Sequence, residues 1–457
     1  MDISEIGSIQ INLLKKSQNF LTLQKKESFN VASNPSCYLS GWSRVYGNLV
    51  LKSLNDKIDN TSKIYFNLKE IYKQYKFNEI KIHQKKIIKK IFSRVVVTAS
   101  LPEDFKKDGS YNDRYFSMKA SDNKDTLWLV LCYDSNMKIP KKFEKNVIII
   151  KNKSGNFINF FLLIFSRFFY FFIKSLKKSK LKLNLGFVNE YRFEEKLKNF
   201  VISLFSIYPI KQLVLPYECQ TFQNLLFKET RKLYPKISTI GYIHSMITPF
   251  PSDFIKRDGS PDKVIVHGID QKKIMEQKLG WKKKEIWVLP SARYRKDNKN
   301  RFSNKVVLPM SFEKPELIIK GYEDFLKFSG DGKLPYLRIK NHPAIKNSHK
   351  HQILIQKIIN LNKKYKSKFS KKPKLKNISI FISVSAAIIE ALERGANVIH
   401  IFSQPIYESH NSKIWKNLKV TFISDNVFRY KLKKYGKYIY FGNKNKTLNR
   451  WLKKKIC

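Results

Sequence analysis

The sequence predicts an α/β protein with two Rossmann-like αβα domains that face each other across a cleft. From about Thr126 onward, short apolar runs alternate with stretches of helical length, which is the pattern of βα units around a parallel sheet. A polar, proline-free stretch at 294–304 interrupts this pattern, and a second βα series follows it. We therefore predict an N-terminal domain at 1–295, a linker at 296–304 and a C-terminal domain at 305–457. Ligands of open α/β sheets bind at the carboxyl ends of the strands, so the site is expected in the cleft.

The first domain contains short apolar runs that predict strands and amphipathic stretches that predict helices. The predicted strands are 95–98, 127–133, 147–150, 212–215, 239–243, 264–266 and 286–289. The predicted helices are 222–233 and 271–279, the second of them ended by Gly280. The rest of the first 125 residues is rich in lysine and predicts helices and loops.

The second domain repeats the alternation. Its predicted strands are 306–308, 336–339, 378–382 and 397–401, and its predicted helices are 315–328, 351–365 and 386–394. Pro315 occupies a favoured first helical position, and Gly395 is expected to end the last helix.

The charge is strongly unbalanced. Lysine and arginine total 89 against 36 acidic residues, which gives a net charge of +53, but only 14 of the basic residues are arginine. A dedicated nucleic-acid reader would use more arginine, because the planar guanidinium pairs with phosphate and guanine. We therefore expect no nucleic-acid partner. The charge then indicates either a solvated basic surface or attraction to anionic membrane lipid or phosphorylated substrates.

The four cysteines lie far apart in the sequence, which excludes a disulfide scaffold and a thiolate zinc site and fits a reducing cytoplasm. The first residues show no basic region followed by an apolar one, so a cytoplasmic location is expected.

One aromatic segment predicts membrane contact. Residues 157–173 read FINFFLLIFSRFFYFFI, and four lysines follow within 174–180. The polar members fall on one helical stripe, which favours a helix lying in the interface, peripheral on the inner face of the cell membrane. A buried helix and a true membrane span are the alternatives.

A histidine–proline motif ends the second predicted strand of the C-terminal domain. In the run RIKNHP at 338–343, Pro343 biases His342 away from helix as the strand ends. His342 and Lys340 are thereby placed at the carboxyl edge of the sheet, where they can donate hydrogen bonds to a phosphate. The alternative is a chance histidine in a loop.

Two serines precede the predicted helix 386–394. Ser383 and Ser385 lie where the free N–H groups and the dipole of that helix suit an anion, although Ser385 could equally be a simple N-cap. Glu390 follows Ser385 by five residues, where its carboxylate could reach ribose hydroxyls of a nucleotide or complement the helix dipole.

Together the two motifs resemble the GT-B glycosyltransferases, and specifically the His-Pro and serine motifs of bacterial transferases that use CMP-activated sugars. Four further stretches are similar to bacterial surface-carbohydrate (O-antigen or capsule) biosynthesis proteins: LVLPYE at 213–218, GYIHS at 241–245, PDKVIVHG at 261–268 and LPSARY at 289–294. The resemblance covers roughly 212–403. It implies a GT-B fold and a nucleotide-sugar co-substrate, with no other cofactor. The acidic-acidic-glycine motif of the CMP-sialic acid transferases is absent.

Three residues of the first domain are candidates for the acceptor side. Glu218 follows strand 212–215, so its carboxylate could take a proton from an acceptor hydroxyl, or it could be an N-cap or surface acid. His244 ends the next strand and is a second candidate, as base or acceptor ligand. Arg293 follows strand 286–289 and could reach donor phosphates or fix the hinge through an ion pair. No Asp-x-Asp motif lies in a suitable position, so we expect side-chain cations and a helix dipole, without a metal, to neutralise the leaving phosphate.

The leading hypothesis is a metal-independent glycosyltransferase that moves a sugar from a nucleotide-activated donor, with CMP among the candidate nucleotides, to a surface-polysaccharide or lipid-linked glycan. A nucleotide-sugar epimerase or a polyol-phosphate transferase would keep the fold and change the reaction. A basic membrane- or nucleic-acid-binding protein without enzymatic activity is the alternative of another class.

Overall fold

The computed structural model of the protein describes residues 2–26, 79–84, 91–132, 137–153, 161, 165, 192–296, 301–342, 348–442, 448 and 451–452. The following description concerns these residues. Four short 3-10 helices lie among them, at Pro102–Asp104, Ser252–Phe254, Lys283–Glu285 and Lys366–Lys368.

The first unit is an αβα layer structure around an eight-stranded sheet. Its strands and the adjoining hairpin β3–β4 are β1 (Glu79–His83), β2 (Arg94–Ala99), β3 (Asn112–Asp113), β4 (Met118–Lys119), β5 (Thr126–Cys132), β6 (Val147–Lys153), β7 (Gln212–Pro216), β8 (Ser238–Tyr242), β9 (Lys263–Val266) and β10 (Ile286–Val288). Its helices are α1 (Ile3–Lys26), α2 (Arg192–Ile207), α3 (Thr221–Leu233) and α4 (Ile269–Lys278).

The strand order is β1-β6-β5-β2-β7-β8-β9-β10, and every neighbouring pair is parallel except β1 with β6. The chain moves outward from β2 through β5 to β6, then returns to β7 and moves outward in the other direction. This is the Rossmann order, and its switch point lies between β2 and β7. All residues of β5 are buried, as expected for a strand with both faces covered.

The second unit has a six-stranded sheet in the order β13-β12-β14-β15-β17-β16. Its strands are β12 (Lys305–Val307), β13 (Arg338–Lys340), β14 (Ile378–Ile382), β15 (Asn397–Ile401), β16 (Leu418–Ser424) and β17 (Val427–Leu432). The first four are parallel, whereas β16 and β17 form an antiparallel edge. The helices are α5 (Pro315–Phe328), α6 (His349–Lys364), α7 (Ala387–Glu393) and α8 (Pro405–Glu408). The predicted α/β class with two Rossmann-like units is confirmed.

Loops at the carboxyl ends of the two sheets contact each other. The indole N–H of Trp415 donates to the carbonyl of Pro249 at 2.8 Å, and the rings of Phe250 and Tyr407 meet edge to face with centroids 6.3 Å apart. One continuous apolar core includes residues of both units and of α1. The two sheets are therefore packed together at the side where the site was expected.

Two chain segments cross between the units. Strand β11 (Ser291–Arg295) pairs with β18 (Phe441–Gly442), and Gln10 of α1 donates to the carbonyls of Ile406 and Ser409 at 2.8 and 3.0 Å. The first two residues of the polar stretch at 294–304 belong to β11, and the predicted linker at 296–304 begins directly after that strand. The domain boundaries themselves stay a prediction.

The predicted membrane-contact segment lies outside the described residues, apart from Phe161 and Phe165. Both are helical, and their side chains are exposed. Among the helices of the described residues, none is long and apolar enough to cross a membrane.

Candidate functional site

The candidate site begins at the switch point of the first sheet. Glu218 follows β7 by two residues, and the loop after it turns sharply at Cys219, a non-glycine residue with a φ of +58°. The side chain of Gln223 holds this loop: its amide oxygen accepts from the backbone N–H of Glu218 and of Gln220, both at 3.0 Å. A non-glycine residue held in the left-handed region costs about 1–3 kcal/mol, and such residues cluster at active sites.

Glu218 and His244 form a close pair. The Nε2 atom of His244, two residues after the end of β8, lies 3.2 Å from Oε1 of Glu218, and Gln220 donates to Oε2 at 3.0 Å. Burial raises the pKa of Glu218 to about 7, with the Gln220 hydrogen bond and Arg293 opposing the shift. Burial, assisted by the charge of Arg293, lowers the pKa of His244 well below its usual value. The carboxyl group of Glu218 therefore gains or loses its proton near neutral pH beside a neutral imidazole.

A buried loop supports this pair from the side of β2. The carboxylate of Asp113 accepts from Thr98 Oγ1 at 2.6 Å, from the Tyr111 hydroxyl at 2.9 Å and from the backbone N–H of Tyr115 at 2.9 Å. The ring of Tyr115 packs edge-on against His244, with centroids 4.5 Å apart. Burial raises the pKa of Asp113 to about 6. Asp113 and Tyr115 were not predicted as site residues. They lie within the first 125 residues, where the apolar pattern did not predict the short strands that carry this loop.

A second histidine, His267, lies at the end of β9 and is fully buried. Its ring meets the rings of Tyr242 and Tyr294 at centroid distances of 5.4 and 5.7 Å. Burial lowers the pKa of His267 to about 4, so it is neutral at physiological pH. The exposed Arg293 acts electrostatically on Glu218, His244 and His267, which places its charge at the same edge of the sheet.

Three cations converge where the predicted linker at 296–304, here called the hinge, meets the second unit. We call Arg301, Lys305 and Lys340 the cationic cluster. The ammonium of Lys340 lies 4.7 Å from the ring centre of Phe302, and the Arg301 guanidinium carbon lies 5.3 Å from it. Lys305 donates to the backbone carbonyl of Arg301 at 2.9 Å. Burial and the charges of Arg301 and Lys305 lower the pKa of Lys340. Half-buried cations this close together favour binding of an anion.

Glu390 is the acid beside the cationic cluster, and Arg394 already pairs with it. The Arg394 guanidinium lies 3.0 Å from Oε1, Arg301 lies 3.4 Å from Oε2, and Glu390 itself is buried. Arg394 also donates to the carbonyl of Arg295 at 2.9 Å. The predicted contact of Glu390 with a ribose finds no support in this geometry, because both carboxylate oxygens already have partners. Glu390 holds the hinge, the role that was an alternative for Arg293.

The serines of the predicted phosphate motif have internal partners. Ser383 is fully buried with a φ of +54°, and its hydroxyl donates to Glu408 at 2.8 Å. The hydroxyl of Ser385 accepts from the backbone N–H of Ala387, the first residue of α7, at 3.2 Å, although the N-cap position itself is occupied by Ala386. Ser383 is therefore closed off from an anion, whereas Ser385 is half-buried and its hydroxyl acts as an acceptor in this contact. His342 is half-buried next to the end of β13.

Tyr294 connects the Glu218–His244 pair with the cationic cluster. Its hydroxyl accepts from the backbone N–H of Met246, two residues after His244, at 3.1 Å. The charges of Arg293, Glu390 and Arg301 all act on that hydroxyl. The structure thus places Glu218, His244 and Arg293 together, and Tyr294 links them to Arg301, a residue of the predicted linker that no prediction had assigned to the site. In the described parts of the chain, no group of three or more His, Cys, Asp or Glu residues is placed to hold a metal ion.

Comparisons with known proteins give little beyond this geometry. No protein-family model matches the sequence, and no curated protein matches it. One solved structure, described as trehalose-6-phosphate from E. coli bound with UDP-2-fluoro glucose, is similar at a TM-score of 0.32 and 9% identity, over 65% of this chain and 86% of that chain. A likeness at this level carries no functional information to the present chain.

Proposed function

We propose that this protein is a metal-independent glycosyltransferase that moves a sugar from a nucleotide-activated donor to a hydroxyl acceptor. The observation that carries the proposal is the Glu218–His244 pair at the switch point of the first sheet, with a Glu218 pKa of about 7. A carboxylate with that pKa is matched to taking a proton from a hydroxyl at neutral pH. Resemblance to the GT-B enzymes agrees with two Rossmann-like units that meet at a hinge.

On the acceptor side, Glu218 acts as the general base. As the acceptor oxygen attacks the anomeric carbon of the sugar, its proton passes to the Glu218 carboxylate, and the bond from that carbon to the donor phosphate breaks. The pair of electrons leaves with the nucleotide. Neutral His244 orients the carboxylate through its 3.2 Å contact, and Tyr115 and Asp113 hold His244 in place.

On the donor side, the leaving phosphate carries the negative charge that must be neutralised. We assign this role to Lys340 and Arg301, with His342 as a hydrogen-bond donor and Arg293 reaching from the first unit. Electrostatic stabilisation of this kind is often the largest single contribution to catalysis. Ser383, Ser385 and Glu390 are left out of the proposed site, because their side chains are engaged within the protein.

The finer assignments extend the resemblance. We propose that the acceptor is a surface polysaccharide or a lipid-linked glycan, that the donor nucleotide is CMP or a related nucleotide, and that the protein acts in the cytoplasm at the inner face of the cell membrane. A lipid-linked acceptor would account for the exposed side chains of Phe161 and Phe165.

A nucleotide screen tests the donor side. One of CMP, CDP, UDP, GDP and ADP should raise the melting temperature, because a ligand that binds only the native state stabilises it. Lys340→Ala and His342→Ala should each weaken binding of that nucleotide by about 10- to 150-fold in calorimetry, the range for one lost hydrogen bond to a charged group. Lys419→Ala, an exposed lysine at the far edge of the second sheet, is the matched control and should bind as the wild type does.

Unchanged affinity in both Lys340→Ala and His342→Ala would exclude the assigned donor site. Salt-sensitive binding of an oligonucleotide, with no response to any of the five nucleotides, would favour a basic binding protein. Conversion of a labelled nucleotide-sugar incubated without an acceptor would favour an epimerase, whereas a transferase needs the acceptor.

The pH dependence of the reaction tests the base. The base must be deprotonated to act, and the pKa of Glu218 is about 7, so the rate should rise with pH through a midpoint near 7. Below the midpoint the rate should fall about tenfold per pH unit. If His244 is the base instead, the midpoint should lie well below 6.5, because its pKa is lowered. A rate that does not change between about pH 5 and 8 would contradict Glu218 as the base and would fit His244.

A further inference from the structure

A basic ledge lies at the amino end of the second sheet, whereas Lys340 and His342 lie at the carboxyl end of β13. We define the ledge as residues 328–336, from the end of α5 to the start of β13, and residues 366–376, which precede β14. Four backbone hydrogen bonds join the two segments: Gly332 to Ser367, Leu334 to Lys368, Ser370 to Leu334 and Leu375 to Lys333, at 2.8–2.9 Å. The ledge is thus a cross-linked platform rather than two independent loops.

The charge of the ledge is almost entirely positive. Its residues include seven lysines, at 333, 366, 368, 371, 372, 374 and 376, and one acid, Asp331. Asp331 is paired with Lys368 at 2.8 Å. The sequence has no Asp or Glu at all from 332 to 389, although it has 14 Lys and Arg in that interval. Six lysines of the ledge therefore have no acid within it to balance them.

Two aromatic side chains protrude from the same surface. Phe328 is 71% exposed at the last position of α5, and Tyr336 is 57% exposed. Tyr336 stacks on Phe369 with an interplanar angle of 16° and a centroid distance of 6.2 Å, which holds its ring in place. Exposed aromatic rings among lysines are typical of surfaces that enter the headgroup region of a bilayer.

We infer that this ledge docks the protein on an anionic phospholipid surface. Phe328 and Tyr336 enter the headgroup region, while the lysines around them attract the negative charge of the lipids. All seven basic residues are lysines, which suit diffuse headgroup charge, whereas recognition of nucleic acid favours the planar guanidinium of arginine. The ledge precedes β13, whereas Lys340 and His342 lie at the carboxyl end of that strand, and Glu218 and His244 follow strands of the other sheet. The inference holds whatever reaction the cleft carries out.

Vesicle binding of the full chain tests this inference. Wild-type protein should sediment with phosphatidylcholine vesicles containing about one third phosphatidylglycerol, and not with phosphatidylcholine alone. The triple variant Lys371→Ala, Lys372→Ala, Lys374→Ala should bind roughly 10- to 100-fold more weakly, since each lysine near an anionic surface contributes substantially. The matched control Lys282→Ala, Lys283→Ala, Lys284→Ala removes three exposed lysines of the first unit and should bind within about twofold of wild type.

Phe328→Ser with Tyr336→Ser tests the aromatic contribution and should also weaken binding at unchanged net charge. Thermal melts of all variants check that the fold is kept, as expected for exposed positions. The inference would be overturned if both triple-lysine variants lost vesicle binding equally, or if the triple variant of the ledge bound vesicles as well as the wild type does. Failure of the wild-type protein to bind anionic vesicles would also overturn it. The same holds if the ledge lysines are needed for binding an oligonucleotide but not for binding vesicles. The ledge variants should keep nucleotide binding. Absence of nucleotide binding by the wild-type protein would therefore count against the proposed function and not against the ledge.

Discussion

Replacing Glu218 with glutamine should lower the rate of sugar transfer by about 10²–10⁴, the usual contribution of general acid–base catalysis. Glutamine keeps the size of the side chain and its hydrogen bond from Gln220, but it cannot take a proton at this position. Affinity for the donor nucleotide should hardly change, because the proposed phosphate ligands belong mainly to the second unit. The measurement is release of nucleotide from the donor with a supplied glycan, or with water as a slow acceptor.

Glu229→Gln is the matched control, since it removes a carboxylate from α3 of the same unit and should leave the rate unchanged. His244→Ala separates the two members of the pair. Near-normal turnover in Glu218→Gln, with an inactive His244→Ala that still binds nucleotide, would reverse the assigned roles. Normal turnover in both variants would place the base elsewhere.

Replacing Gly268 with alanine should destabilise the folded protein by about 3 kcal/mol or more, at the upper end for overpacking a buried position. A Cβ atom on Gly268 would lie well under 3 Å from the carbonyls of Lys437 and Tyr438. Those carbonyls cannot retreat, because the N–H of Asp270 donates to Lys437 at 3.0 Å and that of Tyr440 donates to His267 at 2.7 Å. The free energy of unfolding from denaturant titration gives the measurement.

Lys437 and Tyr438, which precede β18, are also held from the second unit. The carboxylate of Glu393 accepts from the backbone N–H groups of Lys437 and Tyr438 at 3.1 and 2.7 Å. Gly395→Ala is the control, because that glycine has a φ of +80° and open space around it. It should cost only the conformational penalty of about 1–2 kcal/mol. Equal losses of stability in both variants would show that the steric contact with Lys437 and Tyr438 is not the reason that position 268 requires glycine.

Regular elements with local signals could be predicted from the sequence. Helix α5 was predicted at 315–328 and runs over Pro315–Phe328, because proline suits the first helical turn and the apolar positions repeat with helical spacing. Strand β14 was predicted at 378–382 and is Ile378–Ile382, a short apolar run with every residue buried. These signals lie within one segment, so no knowledge of neighbouring elements was needed.

Elements that depend on distant partners were missed. Helix α1 packs on both units and donates through Gln10 to carbonyls almost 400 residues away in the sequence. Strands β11 and β18 owe their pairing to a contact between the hinge and the C-terminal region, and β18 is only two residues long. Pairing over such separations leaves little trace in the periodicity of either segment.

The sequence by itself determined that Glu218, His244 and Lys340 lie at or near carboxyl ends of strands, because a strand followed by a polar residue is a local pattern. Only the tertiary structure decided which of the candidate side chains is engaged elsewhere. It placed Oε1 of Glu218 3.2 Å from Nε2 of His244. Burial of Glu218 raises the pKa of its carboxyl group to about 7, near neutral pH. The tertiary structure also turned Glu390 toward Arg394 and Arg301, which pair with its two carboxylate oxygens beside the hinge. Burial and charge pairing arise from segments far apart in the chain, and they exist only once the chain has folded.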